Sequence, residues 1–348
     1  VVLLNDPWNV AGYLDYATAQ NVDLPPIIAW LAVDAANQRG ERLNEIAHVI
    51  VWTEYAADEL RRGGYDGTPG IVPLGVDHST FYPRDRTIAR DIVTPAKVPR
   101  DAFIIGCVGR NQPRKRIDLT LAYFAAWMHE YRHTNTYLHL HVAPTGEQAC
   151  DIQSLVRHYD IAERVIISKP DVGQGIPSEM LARVYSSFDV YLSTTQGEGW
   201  GLPCLEAMAC GIPGIVPDYS GLGSWVGDAV CKVACTGSAL SAPLNDYPYT
   251  IGGIADKRAT VDALQSMYAS TASTDYRDRY RKRGLALAAQ LSWERTGELF
   301  ETELLAAVER ARTHARTHAH AHARSHAQCI RTDDLQLVQT ATGGAASG

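Results

Sequence analysis

Short apolar runs alternate with capped, helix-period segments along most of the chain. The runs at residues 27–33 (IIAWLAV) and 47–52 (AHVIVW) read as strands buried on both faces, and residues 1–4 as a strand end. Thr53 stands at an N-cap position before a helix over 54–62, which Gly63 and Gly64 stop. A short strand at 70–74 and a Gly-Val-Asp turn at 75–77 end this first series. A second series opens with a strand at 103–108 (FIIGCV) and a helix over 117–131. It continues as strand 137–142, helix 152–159, strand 164–168, helix 177–186, strand 189–193, helix 203–210 and strand 214–216. Such alternation predicts βα units on parallel sheets, so the fold class is α/β with two Rossmann-like halves. Residues 83–101 are charged, proline-punctuated and without an apolar period over their full span, which marks the linker. Two amphipathic helices over 277–291 and 293–308 close the fold. The expected division is 1–84, linker 85–101, 102–276, closing helices 277–308 and a tail from 309 to 348.

Composition narrows this picture. A chain of 348 residues, 46% hydrophobic, can bury two separate cores. Its net charge of −7 provides no field for nucleic acid or anionic lipid. No apolar run reaches the roughly 18 to 20 residues that span a bilayer, although peripheral membrane contact stays open. The opening VVLLND has no methionine and no signal pattern. A buried strand at residue 1 raises the expectation that a segment upstream is missing. The seven cysteines are irregularly spaced, and Cys231 and Cys235 form C-x3-C without a second pair, so core thiols in a reducing, cytoplasmic compartment are expected rather than zinc. His139 and His141 share one strand face without a third ligand and read as satisfied sheet histidines. Trp8, Trp30, Trp52 and Trp127 read as packing residues. The stretch ERARTHARTHAHAHARSHAQ holds five of the twelve histidines, His314, His318, His320, His322 and His326. Lacking large apolar residues, it is expected to be disordered, and adventitious metal binding stays open.

Two stretches carry chemistry. GRNQPRKRIDL, residues 109–119, follows a strand and precedes a helix, where a parallel sheet presents its carboxyl-end loops. It holds four positive charges, Arg110, Arg114, Lys115 and Arg116, in seven residues. Guanidinium forks and a lysine point charge suit a diphosphate, whereas the bland alternative is a solvated basic loop. In QGEGWGLPCLEAMACG, residues 196–211, Gly197, Gly199 and Gly201 loosen the backbone before a helix whose amides aim at the loop. Glu198 and Glu206, eight residues apart, could accept hydrogen bonds from sugar or ribose hydroxyls. The alternative leaves Glu206 favouring a helix start and Glu198 merely exposed.

Together these blocks resemble the retaining, two-Rossmann-domain (GT-B) glycosyltransferases, and specifically "glycosyl transferases group 1", or family 4. Residues 198–206 match the family's E-x7-E signature in its EGFGL…LEAMACG context. GRNQPRKRIDL is similar to its basic donor loop, IVPLGVDHSTFYP (71–83) to its inter-domain stretch and LSWERTGELF (291–300) to its closing helix. The resemblance runs from residue 1 to about 308 and implies two Rossmann-like domains facing across a cleft, the first of them truncated. It implies that Arg110 and Lys115 bind the donor diphosphate, that Glu198 contacts donor-sugar hydroxyls and that Glu206 contacts the ribose. Amides near Trp200, Gly201 and Leu202 would hold sugar and phosphate, with Gly197 and Gly199 lining the loop and Thr195 and Gln196 in the same pocket. No metal or other cofactor is implied, because the basic pair does a divalent ion's work. The implied reaction moves a hexosyl group, with retention, from a nucleotide-diphosphate sugar such as GDP-mannose or a UDP-hexose to a saccharide, lipid or protein acceptor.

The sequence departs from the family pattern in three places. The usual first strand and glycine-rich loop, with several βα units, about 80 residues, are not represented. Many relatives carry a histidine where this chain has Asp34, which resembles a subset with aspartate; Asp34 either orients a hydroxyl or N-caps the next helix. The stretch PDYSGLGSWVGDA (217–229) lacks the family's common glutamate, leaving Ser220 and Gly221 to face the donor. Rival readings are a phosphorylase or sugar-nucleotide hydrolase or epimerase on the same frame, and an inactive nucleotide-sugar-binding protein. A glycosidase-like pair would need two carboxyl groups flanking the glycosidic bond.

Overall fold

The computed structural model describes residues 1–142, 150–168, 175–240, 250–270 and 275–310. The histidine-rich segment from His314 to His326, the rest of the tail after residue 310 and Cys329 lie outside them.

The first half is a four-stranded parallel sheet of β1 (Val2–Asn5), β2 (Ile28–Leu31), β3 (His48–Val51) and β4 (Gly70–Ile71), in the order β1-β2-β3-β4. Its strands are the predicted apolar runs, with β4 shorter than expected because the chain leaves the sheet after Ile71. Helix α1 (Pro7–Ala19) follows β1 and packs Val10, Ala11 and Leu14 inward; the sequence reading missed it because alanines and exposed tyrosines blur its apolar stripe. Helix α2 (Glu54–Arg62) has the expected bounds, and the Thr53 hydroxyl accepts a hydrogen bond from the Ala56 amide at 3.1 Å.

The linker is not irregular throughout. Asp85 caps α3 (Arg86–Val93), a short helix whose charged surface hid it in the sequence, and Arg90 and Ala89 are its buried residues.

The second half contains β5 (Phe103–Val108), α4 (Ile117–Tyr131), β6 (Thr136–His141), α5 (Ile152–His158), β7 (Val165–Ser168) and α6 (Ser178–Ser186). It goes on through β8 (Val190–Leu192), α7 (Leu202–Ala209), β9 (Gly214–Pro217), α8 (Ser220–Trp225) and β10 (Cys231–Val233). All six strands are parallel, in the order β10-β9-β8-β5-β6-β7. This is the doubly wound order, in which β5 and β8 are adjacent but belong to opposite windings. An antiparallel pair, β11 (Cys235–Leu240) and β12 (Ile251–Ala255), precedes α9 (Lys257–Tyr268) and α10 (Tyr276–Ala288). One face of the six-stranded sheet buries Phe124, Trp127 and Leu138, the other Ile104, Tyr185 and Phe188. Each cluster removes enough apolar surface to drive its layer together.

After α10 the chain returns to the first half. The Val76 amide donates to the Leu291 carbonyl at 3.2 Å, and the Thr296 hydroxyl donates to the Pro73 carbonyl at 2.8 Å. Gly75 sits so close to Ser292 that a Cβ there would lie 2.1 Å from the Ser292 carbonyl carbon. Residues 293–300 are helical, as expected, and the Phe300 ring centroid stands 4.6 Å from that of Trp30. The six described cysteines are free thiols, five of them pushed up by burial, Cys210 to about 12. Buried His139 bonds Ser168 Oγ through Nε2 at 2.6 Å and is half satisfied, while the Nδ1 atoms of His139 and His141 have no partner among the described residues. Burial lowers both, His139 to about 3, and keeps them neutral.

Candidate active site

The carboxyl ends of both sheets converge. From the second half come the loops after β5 and β8, at the switch point where doubly wound sheets leave a crevice. From the first half come Asp6, after β1, and Asp34, after β2.

The β5 loop divides its four positive charges. Arg110 is exposed. Arg116 takes a left-handed backbone (φ 50°) and turns onto Asp118, with Nη2 2.8 Å from Oδ2. Arg114 and Lys115 point inward between the halves. Arg114 Nη1 lies 3.1 Å from Glu198 Oε2 and donates to the Gly197 carbonyl at 2.8 Å, while its Nε lies 3.1 Å from Asp34 Oδ2. Lys115 Nζ bonds the other oxygen of Glu198. The Glu198 carboxylate therefore joins the two cations, and Arg114 joins the two halves of the molecule.

The β8 loop is built to hold Glu198 there. The Thr194 hydroxyl donates to the Arg116 carbonyl at 2.8 Å, and the Gln196 amide to the Arg114 carbonyl at 2.7 Å. Thr195 Oγ1 bonds the Gly197 carbonyl at 2.9 Å. The Glu198 amide donates to Ser220 Oγ at 2.9 Å, so Ser220 fixes the backbone of Glu198. Gly197 is required by space: a Cβ would lie 1.8 Å from the Asp34 carbonyl oxygen. Gly199 faces Trp52 in the same way, at 2.8 Å. Gly201 adopts φ 89° as the N-cap of α7, a conformation that side chains disfavour. Leu202 opens that helix. Trp200 turns its buried ring away from the loop onto Trp225, with centroids 4.3 Å apart, and accepts the Trp225 Nε1–H on its carbonyl at 2.7 Å. Only its backbone remains for a ligand.

Electrostatics follow from this packing. Burial disfavours charge on Glu198, but Lys115 and Arg114 outweigh it and hold the carboxyl down to about 2. Burial lowers Lys115 against the pull of Glu198. Burial raises Asp34, with Arg114 opposing, and raises Asp6 to about 6, with the Asp34 charge adding to the shift.

Glu206 belongs to a different environment. It stands on α7, accepts the Tyr185 hydroxyl at 2.6 Å, and burial raises it to about 7. Glu198 and Glu206 thus share a loop and helix but have separate partners.

The sequence expectations are sorted accordingly. The structure brings Lys115, Glu198, Thr195, Gln196, Gly197, Ser220 and Asp34 together. It leaves Arg110 at the exposed rim and Glu206 with Tyr185. Asp34 does not cap a helix: the next helical turn, Glu41–Glu45, starts from Gly40, and Asp34 instead meets Arg114. Arg114 was visible only as one charge in a basic run, and Asp6 was not singled out; a partner 80 residues away leaves no local pattern. Among the described residues, no three His, Cys, Asp or Glu side chains converge to hold a metal ion, and no helix is long and apolar enough to cross a membrane.

Residues 90–244 match the family model described as "Glycosyl transferases group 1". The D-inositol 3-phosphate glycosyltransferase of Geodermatophilus obscurus is 30% identical over 73% of this chain and 52% of its own length. That of Mycolicibacterium smegmatis is 29% identical over 68% of this chain and 56% of its own. The chain spans about half the length of these curated relatives. Among solved structures, sucrose-phosphate synthase from Thermosynechococcus elongatus superposes with a TM-score of 0.64 at 22% identity, covering 88% of this chain and 74% of that one. The α,α-trehalose 6-phosphate synthase of Burkholderia multivorans gives 0.66 at 13% identity, covering 89% and 72%. With the order of its six strands, the E-x7-E loop and these likenesses, residues 90–244 are similar to the group 1 glycosyl transferases, and the chain has the GT-B fold of two Rossmann-like domains.

Proposed function

We propose that this chain transfers a hexosyl group from a nucleotide-diphosphate sugar, with retention, to an acceptor hydroxyl. The observation that carries the reading is the convergence of Arg114 and Lys115 on Glu198 at the switch point, opposite Asp34. A diphosphate would replace the Glu198 carboxylate on Lys115, with Arg110 reaching in from the rim. The freed Glu198 would then accept hydrogen bonds from donor-sugar hydroxyls. Cations fixed by the β8 loop would stabilise charge building on the departing diphosphate without reorganising. The acceptor would attack from the face that the leaving phosphate occupies, a phosphate oxygen taking its proton, so neither glutamate is a nucleophile. Asp34, anchored by Arg114, would orient the acceptor or sugar hydroxyl. Glu206 would bind the ribose, exchanging Tyr185 for a ribose hydroxyl, with the backbone of Trp200, Gly201 and Leu202 beside the sugar. Closure of the halves would exclude water and limit donor hydrolysis.

Base and sugar are set by pocket walls, so GDP-mannose and UDP-hexoses are the donors to screen. D-inositol 3-phosphate, named in the relatives' descriptions, is the first acceptor to try against saccharide, lipid and protein alternatives. A cytoplasmic setting fits the free thiols.

Calorimetric titration of these donors tests the reading. The parent chain should bind at least one nucleotide sugar, and Lys115→Ala should bind it at least about tenfold more weakly. Glu198→Gln should lose about 100-fold in turnover, roughly 2.7 kcal/mol, yet keep its affinity for the free nucleoside diphosphate because the competing carboxylate is gone. Parent protein that binds no nucleotide sugar, or a Lys115→Ala variant that binds as tightly, defeats the assignment.

A further inference from the structure

A second positively charged cavity lies at the opposite, amino edge of the six-stranded sheet. Its volume is about 340 Å³, within the roughly 300–1,000 Å³ of small-molecule sites. Three segments build it: the linker with Arg84 and Arg86, the entries to β8 and β9 with Asp189 and Pro213, and α10 with Arg277 and Arg281. Four guanidinium groups face two carboxylates there, Asp189 and Asp278.

The carboxylates do not use up the arginines. Asp189 is buried and already closely engaged by Arg90, whose Nη2 lies 2.6 Å from Oδ2, and by the Ile104 amide at 2.8 Å. Its other oxygen meets Arg86. Arg277 stands 3.7 Å from that same oxygen, and Arg281 stands 3.7 Å from Asp278, both beyond hydrogen-bond length. Asp278 is held instead by Lys282 at 2.5 Å. Arg84, whose side chain is only 9% exposed, bonds Glu179 and the Thr80 carbonyl through Nη2 and leaves a buried Nε without a partner among the described residues. Each guanidinium offers five donors in a fixed fork, so several N–H groups of Arg86, Arg277 and Arg281 have no acceptor among the described residues. Ile212, Pro213 and Pro83 supply an apolar wall beside them. The Cys210 thiol also lines the cavity, but burial keeps it protonated and inert.

We propose that this cavity is a binding site for a phosphomonoester, separate from the donor cradle, its phosphate read by Arg86, Arg277 and Arg281 and its organic body resting on Pro83, Ile212 and Pro213. A dianionic phosphate suits this cationic lining, and its three terminal oxygens accept from more forks at once than the two oxygens of a carboxylate. Because the ligand would touch the linker, the sheet and α10 together, it would pin the segment that leaves the first half to the second. Asp189 also stands directly before β8, whose far end carries the loop of Glu198, so occupancy would be felt at the donor cradle through a three-residue strand.

Titration calorimetry with glycerol 3-phosphate and with inorganic phosphate, at ionic strength fixed by sodium chloride, tests this. The parent chain should bind the ester more tightly than inorganic phosphate. Arg281→Gln and Arg277→Gln, on exposed or half-buried positions of α10, should each raise the dissociation constant about tenfold or more. Lys115→Ala should leave it unchanged. No binding to the parent, affinity lost in Lys115→Ala but kept in the α10 variants, or equal binding of ester and inorganic phosphate would each overturn the proposal.

Discussion

The two edges of one six-stranded sheet put similar residues to opposite use. At the carboxyl edge Arg114 and Lys115 are matched by Glu198 and Asp34, and the charges neutralise one another between the two halves. At the amino edge Arg84, Arg86, Arg277 and Arg281 exceed their carboxylates. A ligand at the first edge must displace a protein carboxylate, so selectivity comes from exchange. A ligand at the second completes an unfinished set of hydrogen bonds. Arginine content alone therefore says little about a site; the partners already in place decide what it can accept.

The comparison breaks most readily at Asp189. Arg90→Ala removes the buried cation paired with that carboxylate and should cost about 3–5 kcal/mol of stability in urea unfolding. A cost near zero would mean that Arg86 and Arg277 take over and that the amino edge is not short of acceptors.

The two glutamates of the E-x7-E loop sharpen it next, through pH. Glu206 is raised from 4.5 to about 7, so between those values the native state binds more protons than the unfolded chain. Stability from this group should fall as pH rises through that window, by up to about 3 kcal/mol once pH exceeds 7. Asp6, raised to about 6, acts in the same direction over a narrower window. Glu198, lowered to about 2, has the reverse sign: its contribution is complete above the ordinary carboxyl value and is lost as pH falls toward 2. Unfolding of the parent and Glu206→Gln at about pH 5 and about pH 8 checks this, the variant losing most of the drop. An equal drop in both proteins would assign the pH dependence elsewhere.

The smallest effect is expected at Arg281. Half-exposed and loosely paired, it should change stability by no more than about 0.5 kcal/mol when replaced by Gln. A larger loss would make it a structural residue rather than a ligand contact.

Most of the second half was legible because its strands are buried on both faces and read as unbroken apolar runs. Phe103–Val108, Ile117–Tyr131 and Glu54–Arg62 carry their own boundaries in Gly, Thr and the change of period. The elements that escaped have weaker local signatures: α3 is short and charged, and the β11–β12 pair is half-exposed and glycine-containing. In the site, Lys115 and Glu198 stood out through motif context. The Asp34–Arg114 pair and the Tyr185–Glu206 bond arise only when distant segments meet, and neither spacing nor composition encodes them. The directions of the basic loop's side chains likewise come from their neighbours in the fold, Arg116 turning to Asp118 while Arg114 and Lys115 turn inward.

The return of the chain at Leu291–Thr296 to Pro73–Val76 has a mechanical consequence. A polypeptide that passes between two bodies once leaves them free to swivel about it. Here the outgoing passage and the returning one run side by side, joined by the Val76–Leu291 and Thr296–Pro73 hydrogen bonds. Two adjacent crossings define an axis, as two pins define a door hinge, and they suppress twisting about the passage itself. Any opening of the crevice that holds Arg114, Lys115 and Glu198 is thereby guided along one arc, and the same partners meet again each time the halves come together.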